Sequence, residues 1–500
     1  MVAATALSCL GGLALAAVGV NSSALRNAVT VAGVRGHQAA LQAIADANGG
    51  TRASGTPGFG ASAAYVKSKL EAAGYSVSVL PFDFPFFEEH SPAELAQVSP
   101  NPTVYVNGTD FLTMEYSGSG DVTAPLQSVD LVLPPGPTAS TSNSGCETAD
   151  FTGFVPGRVA LIQRGTCAFQ LKAENAQAAG ASAVIIFNEG QPGRTEVLNG
   201  TLGGPTVSIP VLGTTFDLGN TLAGLSNVTV RVKTDTTSEI RQTANVLAET
   251  AGGRADRTVV VGAHLDSVAE GPGINDNGSG SAVILEVALQ MKKLGIAPRN
   301  KVRFMWFGAE EAGLLGSEHY VSTLTATQIK NISVMLNFDM VGSPNFVRFV
   351  YDGDGSATPQ AGPNGSSVIE DVFLKYFAKA GLATEPTAFD GRSDYGPFIA
   401  AGIPAGGLFT GAEEIKTPEQ AMVYGGTAGI AYDPCYHQPC DTFANNNDTG
   451  LDQMSDATAD AVLQFAMTTS AVKGTSKAND QAVKSVDAEK LYYRGSHLQK

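Results

Sequence analysis

Basic side chains are scarce in this chain: 31 Lys and Arg stand against 47 Asp and Glu, leaving a formal net charge of −16. A protein that neutralises phosphates needs a cationic surface, so the deficit excludes a nucleic-acid partner. Tryptophan occurs once and histidine six times, so any histidine set among acids is informative. Beyond the first twenty residues no apolar run reaches the roughly 20 residues of a membrane span. Charged residues are only 16% of the chain against 43% hydrophobic ones, which excludes a disordered polyelectrolyte and implies a large packed core. At 500 residues that core divides into two domains, or one domain carrying a large insertion.

Residues 1–24 open with an uncharged Ala/Gly/Leu-rich run that ends at Asn21-Ser22-Ser23, the pattern of an export signal. It has no positive leading region, so an uncleaved anchor is the alternative. Cys9 sits inside that run and reads as a core cysteine. The other four, Cys146, Cys167, Cys435 and Cys440, are an even number in an exported chain and read as disulfides. Of three connectivities, locality favours Cys146–Cys167 and Cys435–Cys440. The sequons at Asn107, Asn199 and Asn227 matter only in a eukaryotic secretory pathway.

Ala63, Val66, Leu70 and Ala73 predict a helix, stopped by Gly74 before an alternating strand Tyr75–Leu80. From Pro81 to Gly120 the aromatic, irregular pattern reads as a junction. Short apolar strands alternate with turns over 121–235, with one helix predicted over Gln170–Ala179 before a strand at Ser182–Phe187. From Ile240 onward apolar strands (Arg257–Val261, Lys301–Phe307, Val334–Phe338, Ala405–Phe409) alternate with helical segments, the longest Ser279–Leu294. That alternation predicts an α/β fold, a mostly parallel central sheet sandwiched by helices, with ligands at the carboxyl ends of its strands. The tail 473–500 is polar and lysine-rich.

The chemistry gathers at those strand ends. Gly262-Ala-His264-Leu-Asp266 follows the first strand, and the Asp266 carboxylate is placed to bond the second nitrogen of His264 and fix its tautomer. Gly273-Ile-Asn-Asp276-Asn-Gly-Ser-Gly280 is a glycine-rich turn into a helix. It lacks the Lys-Ser/Thr of a phosphate loop, whereas Asp276 offers two oxygens able to bridge two cations. Gly308-Ala-Glu310-Glu311 ends another strand, and adjacent carboxylates repel unless a cation ties one down and leaves the other as a base. Asp339 closes a third strand. In Asp433-Pro-Cys435-Tyr-His437-Gln-Pro-Cys440 a tight disulfide loop would hold His437; a Cys/His zinc site needs reduced thiolates, which export disfavours.

These five ordered motifs, with Asn48-Gly-Gly-Thr-Arg52 and Asp390-Gly-Arg-Ser-Asp-Tyr395, resemble the M28 zinc aminopeptidases, the secreted streptomycete kind in particular, over about 25–90 and 240–470. Phe151-Thr-Gly-Phe154, Val159–Gly165, Cys167, Phe169 and Ala178–Ala181 resemble the protease-associated (PA) domain. The two resemblances divide the chain into 25–120, the first part of the peptidase domain with its junction; 121–235, a smaller β-rich PA domain, either lid, contact module or spacer; and 236–472, the catalytic domain.

By resemblance, two zinc ions are implied, one on His264 and Asp339, the other on Glu311 and His437, with Asp276 bridging. The same nitrogen and oxygen donors would accept cobalt or manganese. Glu310 is implied as general base, Tyr436 as support of the oxyanion, Arg392 as a group near the substrate terminus or a structural ion pair, and Met340 and Phe409 as lining of the first specificity pocket or as core. The implied partners are peptides with a free amino end and an apolar first residue; no membrane insertion follows once the leader is removed. The streptomycete enzyme also binds calcium. Asp452 and Asp456 are kept, but Ala28 stands where the amino-terminal acid would be. The metal motifs alone do not separate an aminopeptidase from a carboxypeptidase or a glutaminyl-cyclase-like enzyme, and PA domains also occur in catalytically silent binding proteins.

Overall fold

The computed structural model describes residues 20–473. The leader expected over 1–24 lies outside the described residues up to residue 19, and the tail from 474 onward lies outside them too. Three helices come first: α1 (Ser23–Ala28), α2 (Val31–Ala47) and α3 (Pro57–Ala72). Thr30 and Thr56 cap α2 and α3 with their side chains, and Pro57 occupies the first turn of α3, where no amide partner is needed. Phe59, Val66 and Leu70 point one way, into the main core.

The strand that follows corrects the junction reading. β1 (Ser76–Ser99) runs on through the aromatic segment, pairing antiparallel from Ser76↔Glu249 to Ser99↔Thr229 with a later strand. Phe82, Phe84 and Phe86 alternate onto one buried face beside Ala309, the period-2 signal of a strand. Pro81 and Pro85 obscured it. They are tolerated because β1 has no second neighbour there, and proline is admitted on edge strands.

The accessory domain comprises β2 (Thr103–Val104), β3 (Phe111–Thr113), β4 (Gly120–Ser128), β5 (Val159–Gln163), α4 (Phe169–Ala178), β6 (Ala183–Phe187), β7 (Val211–Thr214) and α5 (Phe216–Gly224). β4, β5, β6 and β7 are parallel in that order, with β3 antiparallel at the edge. Ile162, Val184 and Ile186 face Phe169 and Ala173 of α4, while Leu161, Ile185 and Phe187 face Leu218 and Leu222 of α5. Burial on both faces explains why these strands read as continuous apolar runs. α5 was not anticipated. β8 (Thr229–Glu249) then returns along β1, so the same two-strand ribbon belongs to both domains.

The larger domain contains β9 (Arg254–His264), α6 (Gly278–Lys293), β10 (Asn300–Phe307), α7 (Leu315–Ser322), α8 (Ala326–Asn331), β11 (Ile332–Phe338), β12 (Phe349–Tyr351), α9 (Ser366–Ala380), β13 (Glu385–Thr387), α10 (Tyr395–Ala400), β14 (Ala405–Phe409), α11 (Pro418–Tyr424) and α12 (Asp448–Met467). The sheet order is β13-β12-β14-β11-β9-β10-β8. Its centre, β14-β11-β9-β10, is parallel, and β12 and β8 flank it antiparallel. Val259 and Val261 of β9 pack under α6, α9 and α12, while Val260 packs against Phe398 and Ile399 of α10. The sheet is therefore sandwiched, and four parallel strands end side by side. Among the described residues no helix is long and apolar enough to cross a membrane.

Candidate metal centre

Three of the five predicted clusters leave the sheet at its carboxyl edge. His264 is the last residue of β9, Glu310 and Glu311 follow β10, Asp339 follows β11, and Phe409 ends β14. The turn before α6 carries Asp276, and it has to lie almost against β11. A Cβ on Gly280 would stand 2.1 Å from the Phe338 carbonyl oxygen, so only glycine fits there. Asn277 fastens the turn by accepting from the amides of Gly280 (2.8 Å) and Met340 (3.2 Å) and donating to the Phe338 carbonyl (2.9 Å). Asp441 accepts from the amides of Asn275 (2.8 Å) and Asp276 (2.9 Å). Beneath them Arg52, fully buried, donates to the carbonyls of Pro272 (2.8 Å), Gly273 (2.6 Å) and Leu265.

The side chains so placed form two sets with a common member. His264 Nε2 lies 3.2 Å from Asp276 Oδ1 and 3.2 Å from Asp339 Oδ1. His437 Nε2 lies 3.2 Å from Asp276 Oδ2 and 3.0 Å from Glu311 Oε2. Asp276 thus turns one oxygen to each imidazole. Donors of one tetrahedral ion with bonds of about 2.0–2.1 Å stand roughly 3.3 Å apart, so both sets fit zinc. Glu311 Oε1 is buried without a hydrogen-bond partner, as a carboxylate is when its missing partner is a cation.

The electrostatics agree. Burial raises Glu311 to about 7 against the opposing His437 charge, and burial with the Glu311 and Asp339 charges raises Glu310 well above the carboxylate range. Burial works against a charged His437, but Glu311 and Asp276 carry it up to about 11; His264 is raised likewise by Glu310 and Asp339. The carboxylates that face each imidazole favour its charged form.

Glu310 Oε2 stands 3.9 Å from His264 Nε2, farther than the 3.0–3.2 Å of the contacts within the two sets, and faces the cavity shared by both sets. Tyr436 stacks on His437 at 3.8 Å and its hydroxyl accepts from Arg392 Nη2 at 3.2 Å. Burial raises the Tyr436 pKa far above that of a free phenol, so the hydroxyl stays protonated and can donate a hydrogen bond. Arg392 also pairs with Glu413 at 2.8 Å. Met340, Phe409 and Tyr351 line the same cavity. Cys435 is bonded to Cys440 across the Tyr436–His437 turn, and Cys146 to Cys167 in the accessory domain.

One expectation needs correction. Asp266 does not fix the His264 tautomer through its carboxylate, which is 3.7 Å from Nδ1. As the chain leaves β9 it brings the Asp266 carbonyl oxygen to Nδ1 at 3.1 Å, and the carboxylate accepts from the Glu310 amide at 3.3 Å. Asp456, one of the two acids kept from the calcium pattern, pairs with Arg26 at 3.4 Å and accepts from the Tyr376 hydroxyl at 3.3 Å. Sequence reasoning missed Ser393, which donates to Asp339 Oδ2 at 2.6 Å while accepting from Asn337 at 2.7 Å. It also missed the anchoring by Arg52, Asn277 and Asp441, although all four lie in or beside the quoted motifs.

The family model for peptidase family M28 matches residues 245–462, and that for the PA domain matches residues 123–222. An aminopeptidase of Pseudomonas aeruginosa is 49% identical over 434 residues, covering 86% of this chain and 80% of that protein. A leucine aminopeptidase 2 of Trichophyton rubrum is 45% identical over 328 residues, 65% of either chain. The crystal structure of a zinc aminopeptidase from Bacillus subtilis superposes with a TM-score of 0.59 at 28% identity, covering 90% of this chain and 98% of that one.

Proposed function

The chain belongs to peptidase family M28, and we propose that it is an exported aminopeptidase that uses two zinc ions to remove apolar residues, leucine above all, from free amino ends. One ion is assigned to His264 and Asp339 and the other to Glu311 and His437, with Asp276 between them. The observation that carries the assignment is the split of Asp276, one oxygen 3.2 Å from each histidine.

Zinc ions bound there would supply Lewis acidity toward the scissile carbonyl and an acidified water. Glu310 is the group left to move the proton: it is buried, stands outside the two assigned ligand pairs, and its raised pKa suits it to take a proton and return it to the leaving amine. The Tyr436 hydroxyl, kept protonated by burial and turned by its bond from Arg392, donates to the developing oxyanion. Ser393 holds Asp339, and Asn277 and Asp441 hold Asp276, so the carboxylates need not reorganise when substrate arrives.

The surroundings favour an amino end over a carboxyl end. Arg392 is the one guanidinium lining the cavity, and it is engaged by Glu413 and Tyr436. Asp390 and Glu414 line the same cavity, a field that suits an ammonium group and repels a terminal carboxylate. Met340, Phe409 and Tyr351 offer apolar contact to the first side chain, in line with the leucine aminopeptidase relative. Two disulfides suit an oxidising compartment, which supports export.

The test is hydrolysis of a leucine-headed peptide and its amino-acetylated twin, before and after chelation, with zinc content measured in parallel. Cleavage only of the free-amino peptide, lost with the metal and restored by zinc at two ions per chain, is expected. Equal cleavage of the acetylated peptide would refute the reading.

A further inference from the structure

The loop that presents Tyr436 and His437 is bracketed by two aspartates, Asp433 before it and Asp441 after it, each 1% exposed. Buried carboxylates need donors, and here the two share theirs. Asn275, fully buried, donates from its side chain to Asp433 Oδ2 at 2.6 Å and from its amide to Asp441 Oδ1 at 2.8 Å. Asn445 Nδ2 donates to Asp433 Oδ1 at 2.9 Å and to Asp441 Oδ1 at 3.1 Å. The four residues thus form a closed ring of hydrogen bonds, from Asn275 to Asp433, Asn445, Asp441 and back. Asn275 directly precedes Asp276, so the ring joins the turn of the shared ligand to the loop of His437.

The ligands are not anchored alike. His264 ends β9 and Asp339 follows β11, neighbouring parallel strands, and Glu311 follows β10. His437 has no strand behind it, and its φ of 55° is a left-handed conformation that a residue other than glycine keeps when its surroundings fix it. The Cys435–Cys440 bond lies within the loop, so it sets the loop's shape but not its place. Its place relative to Asp276 is set from outside, by the ring and by the Ile274 amide, which donates to the Asp441 carbonyl oxygen at 3.0 Å. We infer that Asn445 is a positioning residue for the second metal position: by holding Asp433 and Asp441 at one spacing it keeps His437 in reach of the ion that Glu311 and Asp276 also bind. This inference rests on the two-zinc reading. Asn445 is half-buried and its side-chain amide bonds the two aspartates, so it acts on the ion through them. Opening the ring there leaves each aspartate another donor, the Cys435 amide at 2.9 Å for Asp433 and the Asn275 amide for Asp441, so the fold is kept and the tie across the loop is lost.

The experiment is a zinc titration of the stripped protein against a chromophoric chelator, with near-ultraviolet circular dichroism as the check on folding. Wild type is expected to bind two ions. Asn445→Leu should weaken one of the two positions by about 10–100-fold, as loss of a group that orients a ligand does, and leave the other unchanged. Asp433→Asn opens the same ring while keeping its shape, because in either orientation its amide nitrogen meets an N–H, and it should act alike; it carries the test should Asn445→Leu fail to fold. The double variant should be no weaker than the single ones, since a ring opened once loses nothing by being opened again, whereas independent supports would multiply their effects. Unchanged affinities, equal weakening of both positions, or a multiplied effect in the double variant would overturn the inference and leave the two-zinc reading standing. Uptake of fewer than two ions by wild type would overturn both.

Discussion

The sharpest prediction concerns the adjacent pair Glu310 and Glu311, which differ in role although they are neighbours in the chain. Glu311 Oε2 sits 3.0 Å from His437 Nε2, within a ligand set, whereas Glu310 is 3.9 Å from the nearest imidazole nitrogen. Glu310→Gln keeps shape and volume in a side chain that is only 8% exposed and removes the capacity to accept a proton. Loss of a general base costs about 10²–10⁴ in rate, or roughly 3–5 kcal/mol of transition-state stabilisation. The expected outcome for Glu310→Gln is a kcat reduced by that factor, KM changed little, and zinc content equal to wild type. Glu311→Gln should instead lose zinc from one of the two positions, with part of its activity recovered at high zinc. The assays are steady-state hydrolysis of leucine arylamide and metal analysis of the dialysed proteins. Unchanged turnover in Glu310→Gln, or loss of zinc in it to the same extent as in Glu311→Gln, would refute the division of labour.

Tyr436→Phe should lower kcat by about 10²–10³ with little change in KM, because the lost hydrogen bond forms in the transition state; equal losses in both constants for an untouched kcat/KM would contradict this. Ser393→Ala removes the 2.6 Å bond to Asp339 and should weaken zinc binding by about 10–100-fold, with turnover restored by excess zinc, as metal titration will show. Zinc affinity of the stripped protein should rise with pH. His437, carried to about 11 by Glu311 and Asp276 against its burial, and Glu311, raised to about 7 by burial, hold protons that zinc has to displace. Calorimetry in buffers of different ionisation enthalpy should detect proton release, and a pH-independent affinity between pH 6 and 8 would refute it.

The strand ends were legible because each is an apolar run closed by His, Glu or Asp, and a parallel sheet brings such ends together whatever lies between them. The course of β1 was hidden by Pro81 and Pro85, since proline argues against a strand unless its edge position is already known. The inner supports were hidden for a different reason. Arg52, Asn277, Ser393 and Asp441 are polar residues in glycine-rich loops, where solvation is the ordinary expectation; their burial follows from contacts 54 to 221 positions away in the chain. The bond that orients His264 depends on whether a carbonyl or a carboxylate reaches Nδ1, and that is set by backbone direction after β9 rather than by residue type.

The same supports bear on what metal removal does to the molecule. In small zinc domains the ion is the core, and the chain unfolds without it. Here the loops that present the ligands are fastened by the protein itself. Arg52 bonds three carbonyls within the His264–Asp276 segment, Asp441 takes two amides, Asn277 ties α6 to the end of β11, and a disulfide closes the loop of His437. Ion removal leaves like charges facing one another, but Glu310, Glu311 and the two imidazoles answer by taking up protons. The chelated protein should therefore keep its near-ultraviolet circular dichroism at 25 °C and unfold cooperatively at a Tm lowered only by the linkage of zinc binding, while its activity is abolished. Loss of tertiary signal on chelation would mean that the ions, rather than the buried hydrogen bonds, hold the carboxyl edge of the sheet together.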